Sequence, residues 1–172
     1  MRRVRYQVAC SLDGYIAGPN GESDWITAPP DFDFGELFSQ FDTLVMGRRT
    51  YEGMKGGGGP GFGGMRVLVA SCTLRPEEHA GVEVLGENLR DRVAELRAEA
   101  GKDIWLFGGG ELFRSLLAEG QVDTIEPAII PVVLGGGIPM FPTPALRSRL
   151  ELTGHRAYAN GGMVLLEYAV AR

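Results

Sequence analysis

A strand that turns through three glycines into a helix constrains this chain more than any other feature. Residues 104–107 (Ile-Trp-Leu-Phe) form an unbroken apolar run, typical of a strand buried on both faces of a sheet. Three glycines follow, and Leu112 and Leu116 then recur at helical spacing until Gly120. The free N–H groups and positive dipole end at the start of such a helix suit a phosphate. The glycines lack the G-x-G-x-x-G spacing of a standard dinucleotide fold, and tight strand–helix packing is their alternative explanation.

Two more predicted strands end in residues suited to anions. Gly47, Arg48, Arg49 and Thr50 follow a short apolar strand and open a predicted helix. Arginine binds phosphate in a bidentate manner, and a basic first turn opposes the helix dipole, so a bound anion explains this placement better than a solvated surface. Ser71 ends a third strand. Because ligands of open α/β sheets bind beyond the carboxyl ends of the strands, we expect the three turns to lie along one edge.

The order of the predicted elements indicates an α/β fold. The predicted strands are residues 4–10, 42–46, 66–71, 82–85, 104–107, 123–130, 148–155 and 162–170, and predicted helices begin near residues 34, 48, 88 and 111. The first helix is predicted to carry an apolar stripe of Phe34, Leu37, Phe38 and Phe41. Alternation of strands and helices before a final hairpin predicts one domain. Its central sheet should be mostly parallel with an antiparallel C-terminal edge, with helices on both faces.

Composition excludes several other classes of protein. The 172 residues carry a formal net charge of −5, which argues against a large nucleic-acid-binding surface. The apolar stretch after Met1 is short and interrupted by charges, so we expect neither a signal peptide nor a membrane span. Cys10 and Cys72 are predicted to be buried thiols, and no spacing of His or Cys suggests a metal site. A cytoplasmic location is expected.

Four segments of the sequence, in this order, resemble the dihydrofolate reductase superfamily. They are residues 9–17 (ACSLDGYIA), 46–52 (MGRRTYE), 105–112 (WLFGGGEL) and 131–141 (PVVLGGGIPMF). The chain is most similar to the bacterial branch related to the C-terminal reductase domain of RibD proteins. The resemblance spans nearly the whole chain and implies a dihydrofolate-reductase-like fold that binds NADPH. It also implies hydride transfer to a small heterocyclic, imine or carbonyl substrate, such as a pyrimidine or a pterin.

The resemblance implies which residues contact the cofactor. Ala9, Ile16 and Ala17 correspond to positions beside the nicotinamide, and Ser71 to a position beside the adenosine. The phosphates are expected to meet Gly47, Arg48, Arg49, Thr50, Gly108, Gly109, Gly110, Glu111 and Leu112. Related proteins often have an arginine after the serine, where this chain has Cys72. The resemblance implies NADPH rather than NADH, but the missing arginine removes one possible contact to the 2′-phosphate, so this preference is implied less strongly.

The same resemblance implies the residues around the substrate. Dihydrofolate reductases hold one carboxylate near the start of the first helix as the proton donor, and Asp31 and Asp33 both flank the apolar stripe there. Capping of the helix is the alternative role for both. Asp13, which begins a lid-like loop over residues 13–25, is a further candidate acid. Asp13, Trp25 and Phe34 are predicted to contact the substrate.

Three other functions stay open. One is a protein that binds the nucleotide cofactor without efficient catalysis. True dihydrofolate reduction is disfavoured, because Met65 stands where those enzymes hold the folate glutamate with an arginine, and Arg66 is one position off and should face the other way. Reduction of 5-amino-6-(5-phosphoribosylamino)uracil is weakened, because the zinc-binding deaminase pattern is absent from the sequence. The apolar, glycine-rich segment 134–141 suggests a homodimer.

Overall fold

The computed structural model describes residues 1–55 and 64–171, which form an eight-stranded sheet flanked by helices and a separate two-stranded ribbon. The strands are β1 (Val4–Ser11), β2 (Tyr15–Ala17), β3 (Phe41–Gly47), β4 (Arg66–Ala70), β5 (Val82–Leu85), β6 (Asp103–Gly108), β7 (Thr124–Ile130), β8 (Ile138–Pro139), β9 (Leu150–Tyr158) and β10 (Met163–Val170). The helices are α1 (Phe34–Ser39), α2 (Arg48–Lys55), α3 (Leu89–Ala98) and α4 (Gly110–Ala118).

The main sheet runs in the order β5-β4-β3-β6-β1-β7-β10-β9. The first six strands in that order are parallel, and β10 pairs antiparallel with both β7 and β9. The predicted mostly parallel sheet with an antiparallel C-terminal edge is confirmed. The parallel register places Gly47 level with Ala70 of β4, and Met46 level with Gly108 of β6.

Helices cover both faces of the sheet, as predicted. The core beneath α1 and α2 contains Leu37, Phe41, Leu44, Met46, Tyr51, Val67, Val69 and Trp105. The core beneath α3 and α4 includes Tyr6, Val45, Leu68, Val93, Leu96, Leu106, Leu112 and Leu116. Successive residues of β3 and β6 alternate between the two cores, because side chains of a strand point to opposite faces in turn. Both strands are therefore buried on both sides, which explains their unbroken apolar runs.

The first helix is shorter than the sequence predicted. α1 ends at Ser39, and Phe41 is the first residue of β3 rather than the last of a helical stripe. Phe34 is 49% exposed, so Leu37 is the buried residue of this helix. The spacing of four apolar residues was misleading because the chain turns at Gln40, whose N–H donates to the Leu37 carbonyl.

Two smaller differences concern β2 and the cysteines. The loop predicted after β1 contains β2, which pairs antiparallel with β8 in a ribbon too short to produce a periodic pattern. Cys10 is buried as predicted, and burial raises the pKa of its thiol to about 11. The prediction that Cys72 is buried is wrong, because β4 ends at Ala70 and leaves Cys72 exposed in the following turn. Within the described ranges, every helix is too short or too polar to cross a membrane.

Candidate functional site

The sheet changes its direction of winding between β3 and β6. From β3 the chain passes through α2 outward to β4 and β5, whereas from β6 it passes through α4 to β7 on the other side. α2 and α4 accordingly pack on opposite faces. Ligands of open α/β sheets bind at such a switch point, beyond the carboxyl ends of the strands. Both helices begin directly at this edge, α2 at Arg48 and α4 at Gly110.

The backbone segments approach each other closely at the switch point. A Cβ atom on Gly47 would lie 3.8 Å from the amide nitrogen of Gly109. One on Gly109 would lie 3.7 Å from Oγ1 of Thr50 and 3.9 Å from Cδ1 of Ile16. The peptide bond between Gly108 and Gly109 is cis. The glycines thus leave a cradle that side chains would fill. We call Gly47, Arg48, Arg49, Thr50, Gly108 and Gly109 the switch-point edge.

Two arginines supply positive charge at the switch-point edge. Nε of Arg48 donates to Oε1 of Glu52 at 2.8 Å, and Nη1 donates to Oγ1 of Thr73 at 2.5 Å. Arg49 is exposed and has no hydrogen-bond or ion-pair partner within residues 1–55 and 64–171. The hydroxyl of Ser71 accepts the N–H groups two and three residues ahead and so shapes the turn after β4. Arg48 is therefore held toward β4, whereas the guanidinium of Arg49 has no partner among the described residues and can pair with a bound anion.

The first turn of α4 is held in place by close packing, and its backbone N–H groups have no side-chain cap. A Cβ on Gly110 would lie 2.8–2.9 Å from atoms of residues 139–142, so packing requires a glycine there. The side chain of Leu112 lies in the core beneath α3 and α4, and that of Glu111 pairs with the arginine three residues on. The N-cap, Gly109, has no side chain with which to cap the helix. What this turn offers a phosphate is therefore its backbone N–H groups.

Asp13 fastens the loop after β1 to the segment that precedes β8. Its carboxylate accepts the backbone N–H groups of Leu134 at 3.1 Å and Gly135 at 2.7 Å. A hydrogen bond with the Ser11 side chain, followed by these N–H groups, lowers the pKa of Asp13. The structure thus places Asp13 where it joins two loops, and the adjacent β2 brings Ile16 to the glycine cradle.

The two candidate acids near α1 have different surroundings. Oδ1 of Asp33 accepts the N–H of Glu36 at 2.9 Å, which makes Asp33 the N-cap of α1. Asp31 is exposed and has no hydrogen-bond or ion-pair partner in the described parts of the chain. It precedes Phe32, whose ring packs between Phe34 and Tyr158. Asp33 therefore has a structural role as the N-cap of α1, whereas Asp31 makes no hydrogen bond or ion pair among the described residues that would give it one.

A series of aromatic rings lies over the same face of the sheet as α1. Neighbouring ring centroids are 4.8–5.9 Å apart along the series Tyr158, Phe32, Phe34, Phe38 and Trp105. The half-buried side chains of Ala9 and Trp25 belong to the cluster around Tyr158. Such an apolar wall of flat rings suits a planar ligand. Ala9, Trp25 and Phe34, predicted separately from the sequence, are brought to one region.

Gln7, which no sequence motif singles out, lies on the side of β1 that faces these rings. Because every second residue of a strand points to the same face, Arg5, Gln7 and Ala9 share one side of β1. Nε1 of Trp105 donates to the Gln7 carbonyl oxygen at 2.9 Å. The residue is 7% exposed, and its side-chain Oε1 has no hydrogen-bond partner among the described residues. An unpaired buried oxygen costs roughly 1–3 kcal/mol. The available signal was a polar residue in the middle of a predicted strand. We call Gln7 and the five rings from Tyr158 to Trp105 the aromatic face.

Met65 and Arg66 point in opposite directions, as the sequence predicted. Met65 packs against the core beneath α1 and α2. Arg66 pairs with Glu83 at 2.5 Å and Glu99 at 3.5 Å. Its charge is committed to an ion-pair cluster beside α3, on the side of the sheet away from the aromatic face.

Comparison with known proteins identifies the family. The model of the RibD C-terminal domain matches residues 2–59 and 62–164. The chain belongs to the RibD C-terminal domain family. One relative is the Bacillus subtilis protein YwjB, 33% identical over 175 residues that cover 99% of both chains. A protein of Shewanella sp. PV-4 provisionally assigned to riboflavin biosynthesis has a structure that matches with a TM-score of 0.84. It is 27% identical, with both chains fully covered.

This member of the RibD C-terminal domain family also shares the dihydrofolate reductase fold. The dihydrofolate reductase of Enterococcus faecalis, complexed with NADP(H), matches with a TM-score of 0.73 at 21% identity over 99% of this chain and 97% of the other. The predicted fold and the resemblance to the superfamily are confirmed, and neighbours in family and fold are reductases. The individual site residues, the cofactor, the homodimer and the cytoplasmic location stay predictions.

Proposed function

We propose that this chain is an NADPH-dependent reductase of a small planar heterocycle, of the pyrimidine or pterin kind. The observation that carries the proposal is the switch point between β3 and β6, where two helices begin beside a glycine cradle and two arginines. Backbone N–H groups and arginines together suit the phosphates of a dinucleotide. The Enterococcus faecalis dihydrofolate reductase of the same fold is complexed with NADP(H), which supports this choice of cofactor.

The residues of the switch-point edge fit a dinucleotide. Gly47 and Gly109 leave free the space that Cβ atoms would occupy, so the pyrophosphate would reach backbone N–H groups. Arg49 would pair with the pyrophosphate, and Arg48, held near the turn after β4, would meet the 2′-phosphate. Ile16, at the cradle, would border the nicotinamide. When bound, the reduced nicotinamide supplies the hydride.

The aromatic face would hold the substrate ring. Its rings, Phe34 among them, form the apolar wall, and Trp25 borders it. Asp31 is our candidate proton donor, since Asp33 is already occupied as the cap of α1. Asp13 would act on the site indirectly, by fastening the loop that carries β2.

One observation favours a second function. Asp31 and Asp33 are both exposed, so neither carboxyl group is enclosed by the apolar surroundings that tune a proton donor. A protein that binds the nucleotide without efficient catalysis would keep the switch-point edge and lack the enclosed acid.

The experiment that separates these functions measures NADPH oxidation. The purified chain is mixed with NADPH and, in parallel, with dihydrofolate or with a ribosylaminopyrimidine, and the loss of NADPH absorbance is followed. We expect oxidation with the pyrimidine and little with dihydrofolate, because Arg66 is committed to Glu83 and Glu99. Tight NADPH binding without oxidation of either compound would favour the binding protein.

A further inference from the structure

Within the described chain, Gln7 carries an unpaired hydrogen-bonding atom on the side of β1 that faces the aromatic rings. Strand alternation places it on the same side as Arg5, which lies over the Phe41 ring, and Ala9, which packs with the cluster around Tyr158. The main chain of Gln7 is held on both sides, by pairing with β7 and by the indole N–H of Trp105, so the side chain has a fixed origin. The residue is 7% exposed, and Oε1 is unpaired among the described residues. Leucine, of similar size, would fill this position without the cost of an unpaired polar atom. The Oε1 atom of this glutamine therefore needs a hydrogen-bond donor that the described residues do not supply.

The acidic residue level with Gln7 in the neighbouring strand already has its partners. Glu126 lies opposite Gln7 in the register of β1 and β7. Its oxygens accept Nε and Nη2 of Arg5, both at 2.7 Å, and the Thr124 hydroxyl at 2.6 Å. Burial alone would lower the pKa of Arg5, but the hydrogen bonds and charges of Glu126 and Asp103 together outweigh it and raise that pKa. The carboxylate of Glu126 is thus fully engaged by Arg5 and Thr124 and makes no hydrogen bond to the side-chain amide of Gln7.

We infer that Gln7 is a specificity-determining residue that recognises the lactam edge of the substrate, a ring N–H beside a carbonyl group. This inference rests on the proposed function, because it places the substrate ring at the aromatic face. A glutamine amide carries an acceptor, Oε1, and a donor, Nε2, side by side. A lactam presents the complementary donor and acceptor at the same spacing. The unpaired Oε1 would accept the ring N–H, and Nε2 would donate to the carbonyl oxygen.

The test compares two probes that differ at that edge alone. Quinazolin-4(3H)-one has the lactam N–H, and 3-methylquinazolin-4(3H)-one replaces it with a methyl group. Isothermal titration calorimetry measures both probes, with and without NADP+, on wild-type protein, Gln7→Leu and Gln40→Leu. Gln40 is the matched control, because its amide oxygen accepts Arg5 Nη1 at 2.7 Å and is already satisfied. NADPH affinity and Tm are measured for all three proteins.

The expected result is a change in selectivity without a loss of stability. Wild-type protein should bind the lactam probe about tenfold more tightly than its N-methyl analogue, and Gln7→Leu should bring the ratio close to one. The Tm of Gln7→Leu should equal or exceed that of wild type, whereas Gln40→Leu should lower Tm and keep the tenfold ratio.

Several results would overturn the inference. They are an unchanged probe ratio in Gln7→Leu, a fall in its Tm as large as that of Gln40→Leu, or failure of wild-type protein to bind the lactam probe. Each of these leaves the proposed function standing if NADPH still binds. Failure of NADPH to bind would instead reject the proposed function, and the probe ratio without NADP+ would still decide the role of Gln7.

Discussion

The switch-point edge and the aromatic face are built in different ways. The switch-point edge is made mainly of backbone, where glycines at the starts of α2 and α4 lie so close that an added Cβ on Gly47 or Gly109 would come within 4 Å of the neighbouring segment. The aromatic face is made of side chains from separate segments, from Gln7 in β1 to Tyr158 in β9. A backbone site depends on a few local residues, whereas a side-chain site depends on long-range packing. A family can therefore keep the first while the second changes with the substrate.

The largest effect is expected on turnover, from the candidate proton donor Asp31 next to the aromatic face. Asp31→Asn should lower turnover about 10²–10⁴-fold, because a general acid contributes about that much to rate. The matched control is Asp33→Ala, which should leave turnover intact but cost about 1 kcal/mol of stability through loss of the N-cap. Turnover is measured as NADPH oxidation with whichever heterocycle the wild-type protein reduces, and stability by urea unfolding. Equal turnover in wild type and Asp31→Asn would remove Asp31 as the donor.

The next effect tests whether the glycine cradle is needed for a phosphate. Gly47→Ala places a Cβ at ordinary contact distance, 3.8 Å from the nitrogen of Gly109, so the fold should be kept. NADPH affinity should fall about 10–100-fold, since one charge-assisted hydrogen bond is worth about 1.5–3 kcal/mol. Gly53→Ala in α2 is the control, because its Cβ would meet nothing within 4 Å. Calorimetric titration that finds equal affinities in the two variants would contradict a phosphate in the cradle.

A smaller effect distinguishes the two arginines. Arg48, bonded to Thr73 on the β4 side, is expected to meet the 2′-phosphate, and Arg49 the pyrophosphate. Arg48→Gln should weaken NADPH about tenfold and leave NADH unchanged, whereas Arg49→Gln should weaken both by a similar factor. The readout is the ratio of the two dissociation constants in each variant. The opposite pattern would exchange the two assignments.

The smallest effect concerns pH and the loop that joins the two regions. The pKa of Asp13 is lower in the folded chain than in the unfolded chain, first through Ser11 and then through the N–H groups of Gly135 and Leu134. Its ionised form therefore fastens the loops above the ordinary Asp pKa, and the fastening is lost as pH falls through the lowered value. The protection of the Leu134 and Gly135 amides, measured as the exchange rate relative to that of an unprotected amide at the same pH, should fall in that acidic range. Asp13→Asn should remove this fall; protection that still drops with pH in the variant would assign it to another group.

The fold could be predicted because its signals are local. A strand buried on both faces needs a continuous apolar run, and residues 104–107 supply it for β6. The turns after Gly47 and Gly108 follow such runs directly, so their meeting at one edge follows from parallel pairing. Phe41 shows where local signals fail. Its spacing from Phe34 fits a helix by coincidence, and only its pairing in the sheet shows that it belongs to β3.

The aromatic face could be predicted only in part. Trp25 and Phe34 were expected at the substrate, but their contact with Phe32 and the cluster around Tyr158 depends on how β10 and β9 fold back. Asp31 and Asp33 flank the same stripe in sequence, and a single hydrogen bond to the Glu36 N–H separates their roles. Gln7 was missed because the absence of a partner is a property of the packed structure.

The most direct test of the account is a titration of the wild-type chain with NADPH and with NADH, followed by the fluorescence of Trp25 and Trp105. We expect saturable, sub-millimolar binding of NADPH that is tighter than that of NADH and weakens as salt is added. Absence of sub-millimolar binding for both nucleotides would contradict a dinucleotide site at the switch point between β3 and β6.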